Sequence, residues 1–469
     1  MKTSNLRTFR ATVRSTRRAL VASVAALVVA LTQVAVAQTV NHVYSFTSQN
    51  LSESPLMVTL IQGRDGKLYA TAAGSSGAPN GTVFRITTAD VLTELFAFDF
   101  TNGCCPNFGL ALASDGNFYG TASGGGSTNN GVLFKIAPTG TYSVLHDFSG
   151  GSDGKLPSSP PIQASDGNFY GTTIGSSAVG STLYRYSAAS TVTTIYNFGG
   201  FVDPYVIQGS DGNLYGVSSG GGTKDCGAVF EMTTAGVLLQ SFSFPCGAGG
   251  NGPHGLMQAT DGNFYGTTGA GGTANMGTVF KMTPDFQVSI LYSFGSQIQH
   301  DGRRPAAGLM QATDGNLYGT TTQGGTVDMG TLFQISTSGS YKQLYSFLGK
   351  KGKFPSGALM QHTKGLLWGT AEQGGANGLG TVFALDMGLG PFITFVQPTG
   401  KVGQTAQILG QGFKGTTSVT FNGVPATSFV VGTDTYLRAV IPSGATTGPV
   451  VVSTSKGTLA SNVNFVVAQ

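Results

Sequence analysis

The stretch QATDGNFYGTT, Gln258 to Thr268, decides how this chain is read, because near copies of it return along the sequence. LASDGNFYGTA begins at Leu112, QASDGNFYGTT at Gln163, QGSDGNLYGVS at Gln208 and QATDGNLYGTT at Gln311. Aligned on their aspartates, the copies place Asp65, Asp115, Asp166, Asp211, Asp261 and Asp314. A seventh, QHTKGLLWGTA, carries Lys364 in place of the acid. The spacings are 50, 51, 45, 50, 53 and 50 residues. A period near fifty built from short apolar segments and turns is the signature of a propeller or an array.

Each unit holds four such segments, which in the fifth copy are GLMQAT, NFYGTT, GTVFKMT and VSILYSF. Four strands per unit make one propeller blade. The segments are rich in aromatic and β-branched residues yet alternate poorly, as expected where a sheet is covered on both faces by its neighbours. The ends of the array are offset. The first LYSF-like segment, Tyr44 to Phe46, precedes the first turn, and the last TVF segment, Thr381 to Phe383, has no LYSF after it. The expectation is an all-β chain: a seven-bladed β-propeller over residues 38–387, whose N-terminal strand Val40 to Phe46 supplies the missing outer strand and closes the ring. Closure would remove the open edges of an array.

An Asp-Gly pair between two strand-like segments is a strong hairpin signal, since Gly accepts positive φ and Asp bonds nearby backbone amides. Calcium would need several oxygen ligands close together, and each turn offers one carboxylate with an adjacent Asn. Lys364 points the same way, because a turn survives that change and a carboxylate ligand does not.

The chain opens with a basic segment, then the apolar run ALVASVAALVVALTQVAVA, ending in the small-x-small triplet Ala35, Val36, Ala37. Residues 1–37 read as a signal peptide, so the protein is expected to be secreted or at the cell surface, with no integral membrane segment once the leader is cleaved. Six of the 25 basic residues lie in that leader, which leaves 19 against 21 acidic, a net of −2. Charge therefore suggests no nucleic-acid partner. The five histidines, His42, His146, His254, His300 and His362, show no metal-ligand spacing, and neither HExxH nor GxSxG occurs. No cofactor or metal is expected.

The unit DGNFYGTT...GG....GTVF.......LYSF resembles the tandem repeat named after Gloeobacter and Verrucomicrobia, found in exported bacterial proteins with a choice of C-terminal anchors. That resemblance implies an exported repeat protein of no established activity; the ending NVNFVVAQ departs from the anchored members. From about residue 388 the period stops. The motifs ILGQGF (Ile408 to Phe413), VTFNGVPA (Val419 to Ala426) and AVIPSG (Ala439 to Gly444) are similar to an IPT/TIG module, an immunoglobulin-like β-sandwich, assigned to residues 388–469. Independently, alternating strands broken by Gly, Pro and Asn at short intervals fit a sandwich.

Two groups of site residues are expected. The loops between second and third strands and between blades emerge on one face, and there the sequence departs most from its repeat. GSQIQHDGRRPAAG carries His300, Asp301, Arg303 and Arg304, LGKKGKFP carries Lys351 and Lys353, and AEQGG carries Glu372. The expected role is a non-enzymatic one, extracellular binding or adhesion or a cell-envelope scaffold, with this rim suited to an acidic glycan or a carboxylate-bearing peptide; the alternative is a carbohydrate-active enzyme, hydrolase or lyase, whose carboxylates, such as Glu53, Asp203 and Glu372, would have to converge in the propeller mouth. Cys226 precedes the third strand of its unit and Cys246 follows the fourth. The two flank one hairpin in an exported chain, and a disulfide between them is expected. The state of the adjacent Cys104 and Cys105 is left open by the sequence.

Overall fold

The computed structural model describes residues 39–47, 58–73, 80–175, 180–187, 189–199, 204–295 and 300–468; the leader, Glu53 and Asp203 lie outside these. The fold is all-β and propeller-like. Among the described residues, seven four-stranded antiparallel sheets follow the repeat. The fifth is typical, running Asn251–Gln258, Phe264–Ala270, Thr278–Met282 and Val288–Ser293 in simple meander order. The last is composite. Thr39–Ser45 lies antiparallel beside Thr381–Asp386, pairing Val40 with Leu385 and Ser45 with Thr381. The Phe46 N–H then donates to the Gly380 carbonyl, as Phe294 N–H does to Gly277 in the fifth sheet.

The poor alternation of the strands has a direct cause. Tyr69, Phe118 and Phe134 pack in the cluster between the first and second sheets, and Tyr170, Leu214 and Phe230 between the third and fourth. Sheets six and seven meet through Phe347, Leu359, Leu367 and Phe383, and the seventh meets the first through Phe46, Leu68, Phe84 and Trp368. The second strand of each sheet is therefore buried over its first five residues, and the outer fourth strands are only partly buried. Gly266 illustrates the tightness of this packing. A Cβ there would stand 2.5 Å from the ring of Phe280 on the next strand.

The repeated turn carries two sets of bonds. Within a sheet, Asp261 accepts the Asn263 N–H at 3.0 Å and the hydroxyl of buried Tyr265 at 2.7 Å, while Gly262 turns the chain at φ 82°. The same tyrosine-to-aspartate bond recurs at Tyr69, Tyr119, Tyr170, Tyr215 and Tyr318. In the seventh copy both partners change together, to Trp368 and Lys364. Between sheets, the glutamine that opens the motif accepts the turn N–H of the preceding sheet. Ser114 donates to Gln163, Ser165 to Gln208, Ser210 to Gln258 and Thr260 to Gln311, each at 2.8 Å. Thr313 donates to Gln361 and Thr363 to Gln62, at 3.0 Å, so the last of these clasps joins the seventh sheet to the first.

Residues 394–468 form two further four-stranded sheets around one core that includes Ile408, Phe413, Phe421, Leu437, Val452 and Phe465. This sandwich rests on the Asp-Gly turns. The one glutamine clasp missing from the series lies between the first two sheets, where Leu112 stands in the glutamine position; there the Arg64 guanidinium donates directly to the Ser114 carbonyl at 2.7 Å, and the sandwich adds to that bridge. Gln407 donates to the Ser114 carbonyl at 2.8 Å and accepts from the Arg64 guanidinium, which lies 4.7 Å from the Tyr436 ring centre. Thr435 donates to the Arg64 carbonyl at 2.7 Å, and Gln411 to Thr363 at 2.7 Å. Leu409 and Tyr436 join the apolar cluster of the first two sheets.

Candidate functional site: the loop face

The strands of each meander alternate in direction, so the Asp-Gly turns share one face with the turns between third and fourth strands. The longer loops share the other. The sandwich takes part of the first face, and the second presents the loops that depart from the repeat.

These loops are held by one recurring device. A residue that precedes proline adopts a left-handed backbone: Cys105 (φ 62°), Leu156 (φ 52°), Arg304 (φ 54°) and Phe354 (φ 59°). Each N–H donates to the preceding sheet, at Asn80, Asn130, Met276 and Met329, over 2.8 to 2.9 Å. Each carbonyl accepts from its own sheet, at Ser123, Ile174, Thr322 and Glu372. The following proline rings, Pro106, Pro157, Pro305 and Pro355, lie where a Cβ on Gly81, Gly131, Gly277 or Gly330 would stand. Left-handed geometry costs a non-glycine residue roughly 1 to 2 kcal/mol, and a pre-proline residue is further restricted. The equivalent place before Pro253 is taken by Gly252 (φ 64°), whose N–H donates to the Cys226 carbonyl, so the backbone geometry recurs while the side chain differs from copy to copy. Sequence reading missed it as a class, although the X-Pro pairs are visible.

The structure sorts the expected site residues into distinct roles. His300 is exposed, with φ 65°. Asp301 is buried: its carboxylate accepts the Tyr292 hydroxyl at 2.7 Å and the Gly295 N–H at 2.9 Å, so it anchors the loop. Arg303 makes a two-pronged pair with Asp328, Nε to Oδ1 at 3.0 Å, and those hydrogen bonds hold the Asp328 carboxyl below the usual carboxylate range. Its neighbour Arg304 is exposed. Lys351 donates to the Val40 carbonyl and thereby fastens the N-terminal strand.

Lys353, Phe354 and Glu372 form a second corner. The Lys353 ammonium lies 5.4 Å from the Phe354 ring centre, and its backbone bridges to Gln373. Glu372 donates its N–H to the Phe354 carbonyl. Burial pushes the Glu372 carboxyl above the ordinary range, and a hydrogen bond with Ser356 partly opposes this. The face thus offers one corner rich in guanidinium and another combining an ammonium, an aromatic ring and a carboxyl. Among the described residues, no group of three or more His, Cys, Asp or Glu is placed to hold a metal ion. Cys226 and Cys246 are bridged across their hairpin, with Cα atoms 5.4 Å apart.

The profile of the Gloeobacter/Verrucomicrobia repeat matches residues 28–181, 151–308 and 203–426. No curated protein matches the chain. Among solved structures, it is similar to virginiamycin B lyase from Staphylococcus aureus, with a TM-score of 0.53 and 14% identity over 75% of this chain and 99% of that one. It is also similar to the extracellular domain of a hybrid two-component system from B. thetaiotaomicron, with a TM-score of 0.49 and 11% identity over 90% and 57%. PorZ, a surface component of the type-IX secretion system of Porphyromonas gingivalis, follows with 0.46 and 14% over 88% and 59%. At these identities the lyase speaks to fold alone.

Proposed function

We propose, for a chain that belongs to the Gloeobacter/Verrucomicrobia repeat family, the role of an exported, non-enzymatic binding protein: a closed seven-bladed propeller that presents ligand at its loop face and carries an immunoglobulin-like module on its turn face. The observation that carries this reading is the seating of the C-terminal sandwich on the Asp-Gly turns through Gln407, Gln411 and Thr435. It leaves the more variable loop face to meet a partner, as loops on a rigid scaffold commonly do. Closure is supported by the Thr363 to Gln62 clasp and by the apolar cluster shared by the seventh and first sheets. Export is supported by the basic and apolar leader and by the Cys226–Cys246 bridge, since disulfides persist in oxidising compartments. The exposed Arg304 and the Lys353 ammonium suit an acidic glycan or a carboxylate-bearing peptide.

The test is a glycan and peptide array probed with the mature chain, followed by Arg304→Ala combined with Lys353→Ala. Charge-assisted hydrogen bonds are worth about 1.5 to 3 kcal/mol each, so affinity for the captured ligand should fall at least about tenfold while thermal unfolding barely moves. Undiminished capture, or a ligand that maps to the turn face, would refute this site. The enzymatic alternative has one observation in its favour, the raised Glu372 carboxyl, a property of general acids. Glycan cleavage abolished by Glu372→Gln would establish that reading instead.

A further inference from the structure

Cys104 and Cys105 sit in the loop between the first two sheets, at the first of the strained pre-proline positions. Both peptide groups are clamped. The Cys104 N–H donates to the Gly124 carbonyl at 2.8 Å, and the Gly124 N–H returns a bond at 3.1 Å. The Cys105 N–H donates to the Asn80 carbonyl at 2.8 Å, and the Cys105 carbonyl accepts from the Ser123 N–H at 3.2 Å and hydroxyl at 3.0 Å. Bonds on both sides fix the direction in which each Cβ leaves the chain, and the left-handed φ of 62° at Cys105 brings the two sulfurs to 2.8 Å. That is roughly 0.8 Å longer than a disulfide bond. Gly124 keeps the space open, since a Cβ there would stand 2.9 Å from the Cys104 sulfur.

We propose that Cys104 and Cys105 are a redox site, closing to a vicinal disulfide on oxidation and reopening before Cys226–Cys246 on reduction, so that redox state sets the shape of this corner of the loop face. The inference does not depend on what the loop face binds. With a glutathione disulfide as oxidant, the Cys105 thiolate attacks one of its sulfurs, forms a mixed disulfide and expels one glutathione thiolate. Cys104 then loses its proton and displaces the second glutathione. Two thiols have lost two protons and two electrons, and the incoming disulfide has become two thiols. Cys105 is the attacker because it is half-buried, whereas Cys104 is buried and desolvation pushes its thiol up to about 12. Early reopening follows from adjacency. Neighbouring Cα atoms stand about 3.8 Å apart, short of the roughly 4.4 to 6.8 Å that a relaxed disulfide spans, and strain makes such a bond more reducible.

The full chain equilibrated in glutathione buffers from fully oxidised to fully reduced, trapped with iodoacetamide and mapped by peptide mass, tests this. The peptide holding both cysteines should lose two hydrogens in the oxidising buffers and regain them before Cys226–Cys246 opens. Cys104→Ser should hold glutathione on Cys105, because no neighbouring thiol can displace it. Alkylation of both Cys104 and Cys105 in buffers that keep Cys226–Cys246 closed, opening in the reverse order, or a Cys104→Ser protein with free Cys105 would each overturn the assignment.

Discussion

Asp261 receives the Tyr265 hydroxyl at 2.7 Å on one oxygen and the Asn263 N–H at 3.0 Å on the other. Burial works against its ionisation, yet the bonds from Asn263 and Tyr265 hold its carboxyl below the usual range. The acid is needed because a fully buried tyrosine must place its hydroxyl somewhere, and an unpaired buried donor costs about 1 to 3 kcal/mol. In the seventh copy Trp368 brings no hydroxyl to this turn and Lys364 replaces the acid, while the buried indole N–H of Trp368 is left without a partner. Asp261→Ala should therefore cost about 2 kcal/mol in denaturant unfolding. Adding Tyr265→Phe should recover part of that loss, with a coupling of at least about 0.5 kcal/mol. Strict additivity of the two changes would show that the turn alone requires the aspartate. The hairpin was legible in the sequence because its determinants are adjacent. The tyrosine bond was not drawn from it, although the partners lie four residues apart, because nothing local says which strand residues are buried.

Glutamine clasps operate one scale up, between sheets. Gln258 lies beside its own turn in the sequence, but the N–H that it accepts belongs to Ser210, 48 residues earlier. Sequence alone displays the constancy of that glutamine and hides its partner, which only the packing of successive sheets brings near. At the seam between the seventh and first sheets a histidine joins the clasp. His362 is fully buried; its Nδ1 accepts the Lys364 N–H at 3.1 Å, and its Nε2 meets the Gly66 carbonyl at 3.0 Å as donor. Burial is the main cause that lowers its pKa, with Lys364 assisting and the Gly66 bond opposing. A folded-state pKa below the unfolded value of about 6.5 means that the unfolded chain takes up a proton first. The histidine's contribution is then intact above about pH 6.5 and is lost as pH falls from there through the folded pKa. His362→Ala, which restores the residue found at this position in other copies, should reduce the drop in melting temperature between about pH 7.5 and pH 5.5 relative to the parent protein. Identical pH profiles for the two proteins would show that the seam is insensitive to this proton.

At the scale of the whole molecule, the sequence contained the order of its parts in the repeat offset, with one strand-like segment too many at the start and one too few at the end. It did not contain the seating of the sandwich. That depends on Gln407, Thr435 and Tyr436 meeting Arg64 and Ser114, and none of these residues stands out in its own segment. The two terminal pieces consequently differ in what their removal should do. Deleting residues 38–47 takes away the ladder beside Thr381–Asp386 and the buried side chains of Val40 and Phe46. At about 1.5 to 3 kcal/mol for each buried side chain, these two alone approach the roughly 5 to 15 kcal/mol by which a domain is stable. The deletion also bares a strand edge that invites aggregation. Ending the chain at residue 387 leaves the direct contacts between successive sheets in place and removes what the sandwich adds on the turn face, including the Gln407 bridge to Arg64 and Ser114 and the packing of Leu409 and Tyr436 between the first two sheets. The truncated protein should therefore unfold cooperatively at a modestly lower temperature and retain loop-face ligand capture, whereas the strand deletion should aggregate or melt without a cooperative transition. If the strand deletion melted as cooperatively as the truncation, the proposed closure through the N-terminal strand would fail; if the truncation lost ligand capture while still folded, the sandwich would belong to the proposed binding site.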